Sequence, residues 1–156
     1  MKLKFFAVFF IFFQFSLNAA GIGAGGLFTL KNGAAGGVRM DFQSGSIPFV
    51  FETETLFCKD GVDLVLGGVE FLAGNIHLAK ALNFYYAPKL SLGWNFCGQE
   101  FIVANGFFTG LYAFAIPRTQ FFLEAGWNPE ILFSADDLDF NLVNFPFLIG
   151  VRFWSD

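Results

Sequence analysis

The chain has 156 residues, 55% of them hydrophobic and 21% aromatic, with 26 phenylalanines and only 14% charged side chains. A soluble domain usually carries about 25% charged residues, so there is too little charge here to cover a surface of this size. The formal charge of −4 and the absence of any run of three basic residues argue against nucleic acid as a partner, because phosphate binding needs clustered Lys and Arg.

The first twenty residues have a basic start at Lys2 and Lys4, an apolar run from Phe5 to Phe13, and small residues at Ala19, Ala20 and Gly21. This is the pattern of a secretory signal peptide over 1–20, with cleavage near Ala20 and the folded domain over 21–156; an uncleaved anchor is the alternative. Without Lys2 and Lys4, seven basic residues face thirteen acidic ones. A membrane-spanning helix needs about 20 apolar residues. The best candidate, Phe101 to Pro117, is shorter and holds Asn105, Gly106, Thr109 and Gly110.

What recurs instead is alternation, the signature of strands whose side chains point to opposite faces. Gly21 to Leu30 is the first segment, and Lys31-Asn32-Gly33 is a turn signal. Val38, Met40 and Phe42 then alternate with Arg39, Asp41 and Gln43, and Ser44-Gly45-Ser46 turns the chain. Phe49, Phe51, Thr53, Thr55 and Phe57 alternate with Val50, Glu52, Glu54 and Leu56, before a turn at Lys59-Asp60-Gly61. The fourth segment runs from Val62 to Leu72, with Glu70 opposed to Val69 and Phe71. Gly74 to Ala81 reads as a connection with room for a short helix.

The cleanest alternation follows. Leu82, Phe84, Tyr86, Pro88, Leu90, Leu92, Trp94 and Phe96 interleave with Asn83, Tyr85, Ala87, Lys89, Ser91, Gly93 and Asn95. Proline cannot donate to a ladder, so the strand either starts late, near Ala87, or carries a bulge at Pro88; the late start is the favoured reading. In the sixth segment Ile102, Ala104, Phe108, Tyr112, Phe114 and Ile116 share one parity, and Pro117-Arg118-Thr119 is a turn. In the seventh, Phe121, Leu123, Ala125 and Trp127 alternate with Gln120, Phe122, Glu124 and Gly126. Pro129 to Asn141 reads as the longest connection. The last segment sets Val143, Phe145, Phe147, Ile149, Val151 and Phe153 against Asn144, Pro146, Leu148, Gly150 and Arg152.

Eight segments of about ten residues suit strands that cross a bilayer at a tilt. The fold expected is all-β, an eight-stranded antiparallel up-and-down transmembrane barrel. Only closure satisfies every backbone group in hydrocarbon. Some thirty large apolar side chains would overfill the interior of a small barrel. The apolar set therefore faces outward, and Arg39, Asp41, Glu52, Glu54, Glu70, Lys89, Glu124 and Arg152 face the lumen.

The sequence as a whole, with Tyr-Ala-Pro-Lys-Leu-Ser-Leu-Gly-Trp at 86–94 and a closing Phe-Leu-Ile-Gly-Val-Arg-Phe-Trp at 147–154, resembles the small outer-membrane barrels of the OmpA transmembrane domain, OmpX and OmpW type. The resemblance implies export to a bacterial outer membrane, with the lipid bilayer and the outer-membrane assembly machinery as partners. Those proteins usually end on an aromatic residue that the machinery reads; here Phe153 and Trp154 are followed by Ser155 and Asp156.

With both termini periplasmic, the connections holding Cys58 and Cys97 fall on the same, external, side, which makes the pair a candidate disulfide in an exported chain; two thiols are the alternative. Tyr86, Trp94, Tyr112, Trp127 and Trp154 are candidates for the interfacial aromatic girdle. The eight inward charges read first as an ion-paired plug and second as a pore lining. His77 is the only histidine, with no Ser or Asp close to it, and reads as solvated. Asp136, Asp137 and Asp139 lack the glycine and terminal glutamate of a calcium loop. No cofactor or metal site is expected. The leading functional expectation is a non-catalytic structural or surface-interaction barrel that meets an extracellular ligand through its external loops. The alternatives are a narrow conduit for small hydrophobic molecules, with a dry upper lumen near Leu56, Leu66 and Phe107, and a lipid-modifying enzyme.

Overall fold

Alternation with a two-residue period can only be satisfied by extended chain, and among the described residues extended chain is the sole regular structure. The computed structural model describes residues 20–155 apart from 31–33, 46, 59–60 and 136, and apart from the side chain of Cys58. The expected leader lies outside the described residues except for Ala20, which opens the first strand.

Eleven strands are present: β1 (Ala20–Leu30), β2 (Ala34–Ser44), β3 (Phe49–Cys58), β4 (Gly61–Phe71), β5 (Gly74–Ala79), β6 (Leu82–Asn95), β7 (Glu100–Ile116), β8 (Thr119–Trp127), β9 (Glu130–Phe133), β10 (Leu138–Asn141) and β11 (Phe145–Trp154). They form eight staves. β4 and β5 both pair with β6, β8 and β9 both pair with β7, and β10 and β11 pair with β9 and β8 in turn. β11 pairs with β1, and β6 with β7, so the antiparallel sheet closes on itself. A path at right angles to the strands leaves β1 at Ala20, passes Ser44, Phe71, Phe107 and Trp127, and returns to β1 at Leu30. Such a stagger goes with strands inclined at about 35–45° to the barrel axis.

One end of the barrel carries the start of β1, the end of β11 and the turns after β2, β5 and β7; it is called the terminal end below. The other, the loop end, carries the connections after β1, β3, β6 and β9. All of these connections are short.

Two stretches expected to be connections are strand. Gly74 to Ala79 is β5, joined to β6 by the turn Lys80-Ala81, and a register shift between His77 and Ala79 blurs its alternation. Within Pro129 to Asn141, β9 and β10 form a hairpin, and only Pro129 and 134–137 remain outside the strands.

β6 starts at Leu82 rather than Ala87, and the register explains how it tolerates Pro88. The Tyr86 carbonyl accepts from the Ala73 amide at 3.1 Å, so Tyr86 and, two residues on, Pro88 turn their backbone polar atoms toward the fourth stave. That stave is interrupted there: β4 pairs as far as Glu70 with Lys89, and β5 resumes at Gly74 with Tyr86. The Leu72 amide in the gap donates to the Pro48 carbonyl instead. The missing donor thus faces a break in the ladder. Pro129 lies in the break between β8 and β9 itself.

In seven staves the bulky apolar face points outward as expected; Met40, Leu90, Ile149 and Phe153 are each at least half exposed. β7 is the correction. Ile102, Ala104 and Phe108 are inside, at 0%, 0% and 1% exposure, while Phe101, Phe107 and Leu111 face out. Both parities of β7 are apolar, so alternation could not orient it; the pairing with β6 does.

Gly93 shows what the interior packing demands. A Cβ at Gly93 would run into the Val65 carbonyl and the Leu66 side chain, and Leu66 is fully enclosed. Gly93→Ala is expected to cost about 1–3 kcal/mol by overpacking, read as a lower urea midpoint for unfolding from lipid vesicles. An unchanged midpoint would show that this contact is not close.

Candidate functional site, a charge-filled lumen

Because Arg39 and Asp41 share a parity on β2, Glu52 and Glu54 on β3, and the faces of neighbouring staves are held in register, the inward charges converge. Arg39 pairs across from Glu54, Asp41 from Glu52, and Glu70 from Lys89. All eight charges expected in the lumen are there, none more than 6% exposed.

Arg39 is the hub. Its Nη1 lies 2.9 Å from Glu70, 2.7 Å from Glu124 and 3.0 Å from Glu52, and its Nη2 reaches the second Glu70 oxygen at 3.3 Å. The two-pronged contact with Glu70 uses the planar fork that lysine lacks. Lys89 donates to Glu54 at 2.7 Å, also contacts Glu52, and stands 4.6 Å from the centre of the Phe108 ring. Arg152 anchors a second group nearer the terminal end, joined to the first through Asp41, which lies 3.7 Å from the Arg39 Nε. The Nε of Arg152 donates to Asp41 at 2.7 Å and its Nη1 to Gln43 and Gln120, with Phe122 beneath the guanidinium.

Several members escaped the sequence reading. The Tyr85 hydroxyl donates to Glu124, and the Trp154 indole to Gln120. Toward the loop end, Glu130 accepts from Asn141 and Asn144, and Thr29 donates to Asn144. Tyr85 and Gln120 were legible, since they share parity with Lys89 and Glu124. Glu130 was not, because it stood in a supposed connection.

Above the charges, toward the loop end, Leu27, Leu56, Leu64, Leu66, Ile102, Leu132 and Leu148 pack into an apolar cluster. Leu56 and Leu66 therefore line the upper lumen as the conduit reading requires, but they are packed in that cluster, and Phe107 is on the outer wall. At the terminal end a cavity of about 250 Å³ opens among Tyr85, Tyr112, Gln120, Arg152 and Trp154. Among the described residues, charges and leucines together fill the lumen above a mouth at the terminal end.

The aromatic girdle divides. Tyr86, Trp94 and Trp127 are on the outer wall. Tyr112 and Trp154 turn inward and line the mouth; each falls on the inward parity of its strand, with Phe108 and Arg152 respectively. His77 is exposed on β5 opposite Asn83, and Ser91 is buried opposite Gly68. Cys97 is exposed in the turn after β6, at the same end as Cys58. The expected pairing rests on the Cys58 side chain, which lies outside the described residues. Of the three loop aspartates, Asp136 also lies outside them. Asp137 and Asp139 each accept from the following amide, at 2.8 Å, and so cover donors of β10.

A closed eight-stranded antiparallel barrel, apolar outside and charged within, is the small outer-membrane type of fold. Among solved structures the chain is similar to the crystal structure of Neisserial surface protein A, with a TM-score of 0.57 and 16% identity over 88% of this chain and 97% of that one. No family model matches, and no curated protein matches by sequence.

Proposed function

We propose that this chain is an integral protein of a bacterial outer membrane with a structural role, inserted by the assembly machinery and held open to contact at its surface. The observation that carries the reading is the inversion of faces. Side chains such as Ile149, 67% exposed, cover the outside, while Arg39 and Lys89 are sealed within. Water rewards the opposite arrangement, and hydrocarbon rewards this one. Contact at the surface falls to the β9–β10 hairpin, since the loop-end connections are short. The fold likeness to a Neisserial surface protein supports the location and leaves the role to the site.

The outer-membrane fraction should contain the protein in a form whose gel mobility changes on boiling. Recovery in the soluble fraction would sink the reading. A filled lumen also separates a structural barrel from a conduit. Purified protein in a planar bilayer is expected to give no discrete conductance steps, and regular steps would favour the conduit.

A further inference from the structure

The outer wall is not the same height all round. β3 pairs with the fourth stave only as far as Phe49 with Phe71. Beyond that level β5 pairs with β6 alone, so the β5–β6 hairpin projects past the rim. Because the staves are staggered, most of β5 lies within the height of the wall, and at about 3.3 Å per residue and a tilt near 40° only the tip of the hairpin, roughly 5 Å, lies past the rim set by Ala20 and Trp154. The adjacent β7–β8 hairpin extends to the same end, with Leu82 pairing to Ala113 and the strand continuing to Ile116. The outward side chains here are apolar and exposed at Ile76, Leu82 and Ile116, with Leu78 exposed at the bulge beside them, while Phe114 keeps the inward parity of Tyr112 and borders the mouth. The outward ones continue the outer face of β6 and β7 across the register shifts at His77/Ala79 and Phe114/Ile116.

The charges on these hairpins have one sign. Lys80 and Arg118 occupy the two turns, both exposed. From Phe71 to Gln99, and again from Phe101 to Leu123, there is no Asp or Glu. Among the described residues, exposed or half-buried acidic residues are instead found near the loop end, at Asp63, Glu100, Asp137 and Asp139. Basic residues at the edge of an apolar surface place their charge among headgroup phosphates while their stems stay in the apolar layer.

We propose that the β5–β6 and β7–β8 hairpins form a lipid-binding wedge at the terminal end, its apolar face in the acyl chains and Lys80 and Arg118 on the phosphates of anionic phospholipids. This rests on the barrel spanning a membrane, and the test separates the two. In a Cys58→Ser, Cys97→Ser background, nitroxide labels are placed at Leu78→Cys, Ile116→Cys and, as a mid-wall control, Leu90→Cys. The protein is reconstituted in vesicles of phosphatidylethanolamine and phosphatidylglycerol. The expected result is that all three labels are relaxed by oxygen and shielded from a water-soluble nickel chelate. If Leu90 is lipid-exposed but Leu78 and Ile116 are nickel-accessible, the wedge is wrong and the membrane reading stands. If Leu90 is also nickel-accessible, both fail. Labels immobilised and shielded from both agents would mean a protein partner, which also overturns the wedge. The headgroup half has its own readout. The unfolding midpoint should rise as phosphatidylglycerol replaces phosphatidylcholine, and Lys80→Gln with Arg118→Gln should remove most of that rise. A rise that survives the double variant refutes the phosphate contact.

Discussion

Arg39→Met is expected to destabilise the folded barrel by about 3–5 kcal/mol, the cost of breaking a buried ion cluster from one side. Arg39 faces Glu52, Glu70 and Glu124 within 3.0 Å through a single nitrogen. Lys89 is then the only cation left in contact with the central carboxylates among the described residues. The loss comes less from the attraction removed than from the charges stranded in a site closed to water. That account makes a second statement. In the Arg39→Met background, Glu70→Gln should recover part of the stability, because it removes one stranded charge; in the native background the same change should cost. Arg39→Lys should fall between, keeping charge but losing the two-pronged contact with Glu70. Urea unfolding from vesicles, arranged as a double-mutant cycle, measures all four. An Arg39→Met cost below about 1 kcal/mol would mean that the cluster fills the lumen without holding the staves together.

The second large effect lies on the other face. Ile149 pairs between Gly26 and Leu123 in the middle of the wall, and it is the most exposed large apolar residue among those described. Ile149→Arg is expected to cost about 2–4 kcal/mol in a bilayer, the penalty for arginine near the midplane of a barrel. On a water-facing surface the same change would stay within about 0.5 kcal/mol. Leu148→Arg is the companion. It puts a charge inside, where Leu148 is 1% exposed, and should be harmful in either setting. A harmless Ile149→Arg beside a harmful Leu148→Arg would describe a soluble barrel.

How much of this could be read without coordinates depended on contrast between the two parities of a strand. In β2, β3 and β6 one set is bulky and apolar and the other charged or small, so the inward residues could be named one by one. β7 offers no such contrast. Its Ile102 and Phe101 are equally apolar, and only hydrogen-bonded register with β6 decides that Ile102 goes in. Tyr112 and Trp154 were misplaced for a related reason: an aromatic near a strand end suits either a membrane interface or a lumen mouth.

Irregularities hid more. Gly74 to Ala79 looks like a connection because a register shift blurs its alternation, and Glu130 to Asn141 because its two strands are only four residues each and follow Pro129. In the closed sheet the break between β4 and β5 faces Pro88, which is why a proline can lie inside β6. Such compensation joins residues far apart in the chain and leaves no local mark.

By itself the sequence determined the class of structure and the orientation of its faces. Period-two alternation admits only strands, and a chain so poor in charge cannot present its polar set to water while hiding thirty large apolar side chains. Tertiary structure decided what the lumen is. That Arg39 gathers Glu52, Glu70 and Glu124, that seven leucine and isoleucine side chains close the loop end, and that two hairpins overhang the terminal end all depend on stagger between staves. Register is fixed by the summed pairing of a closed sheet, and no single strand contains that information.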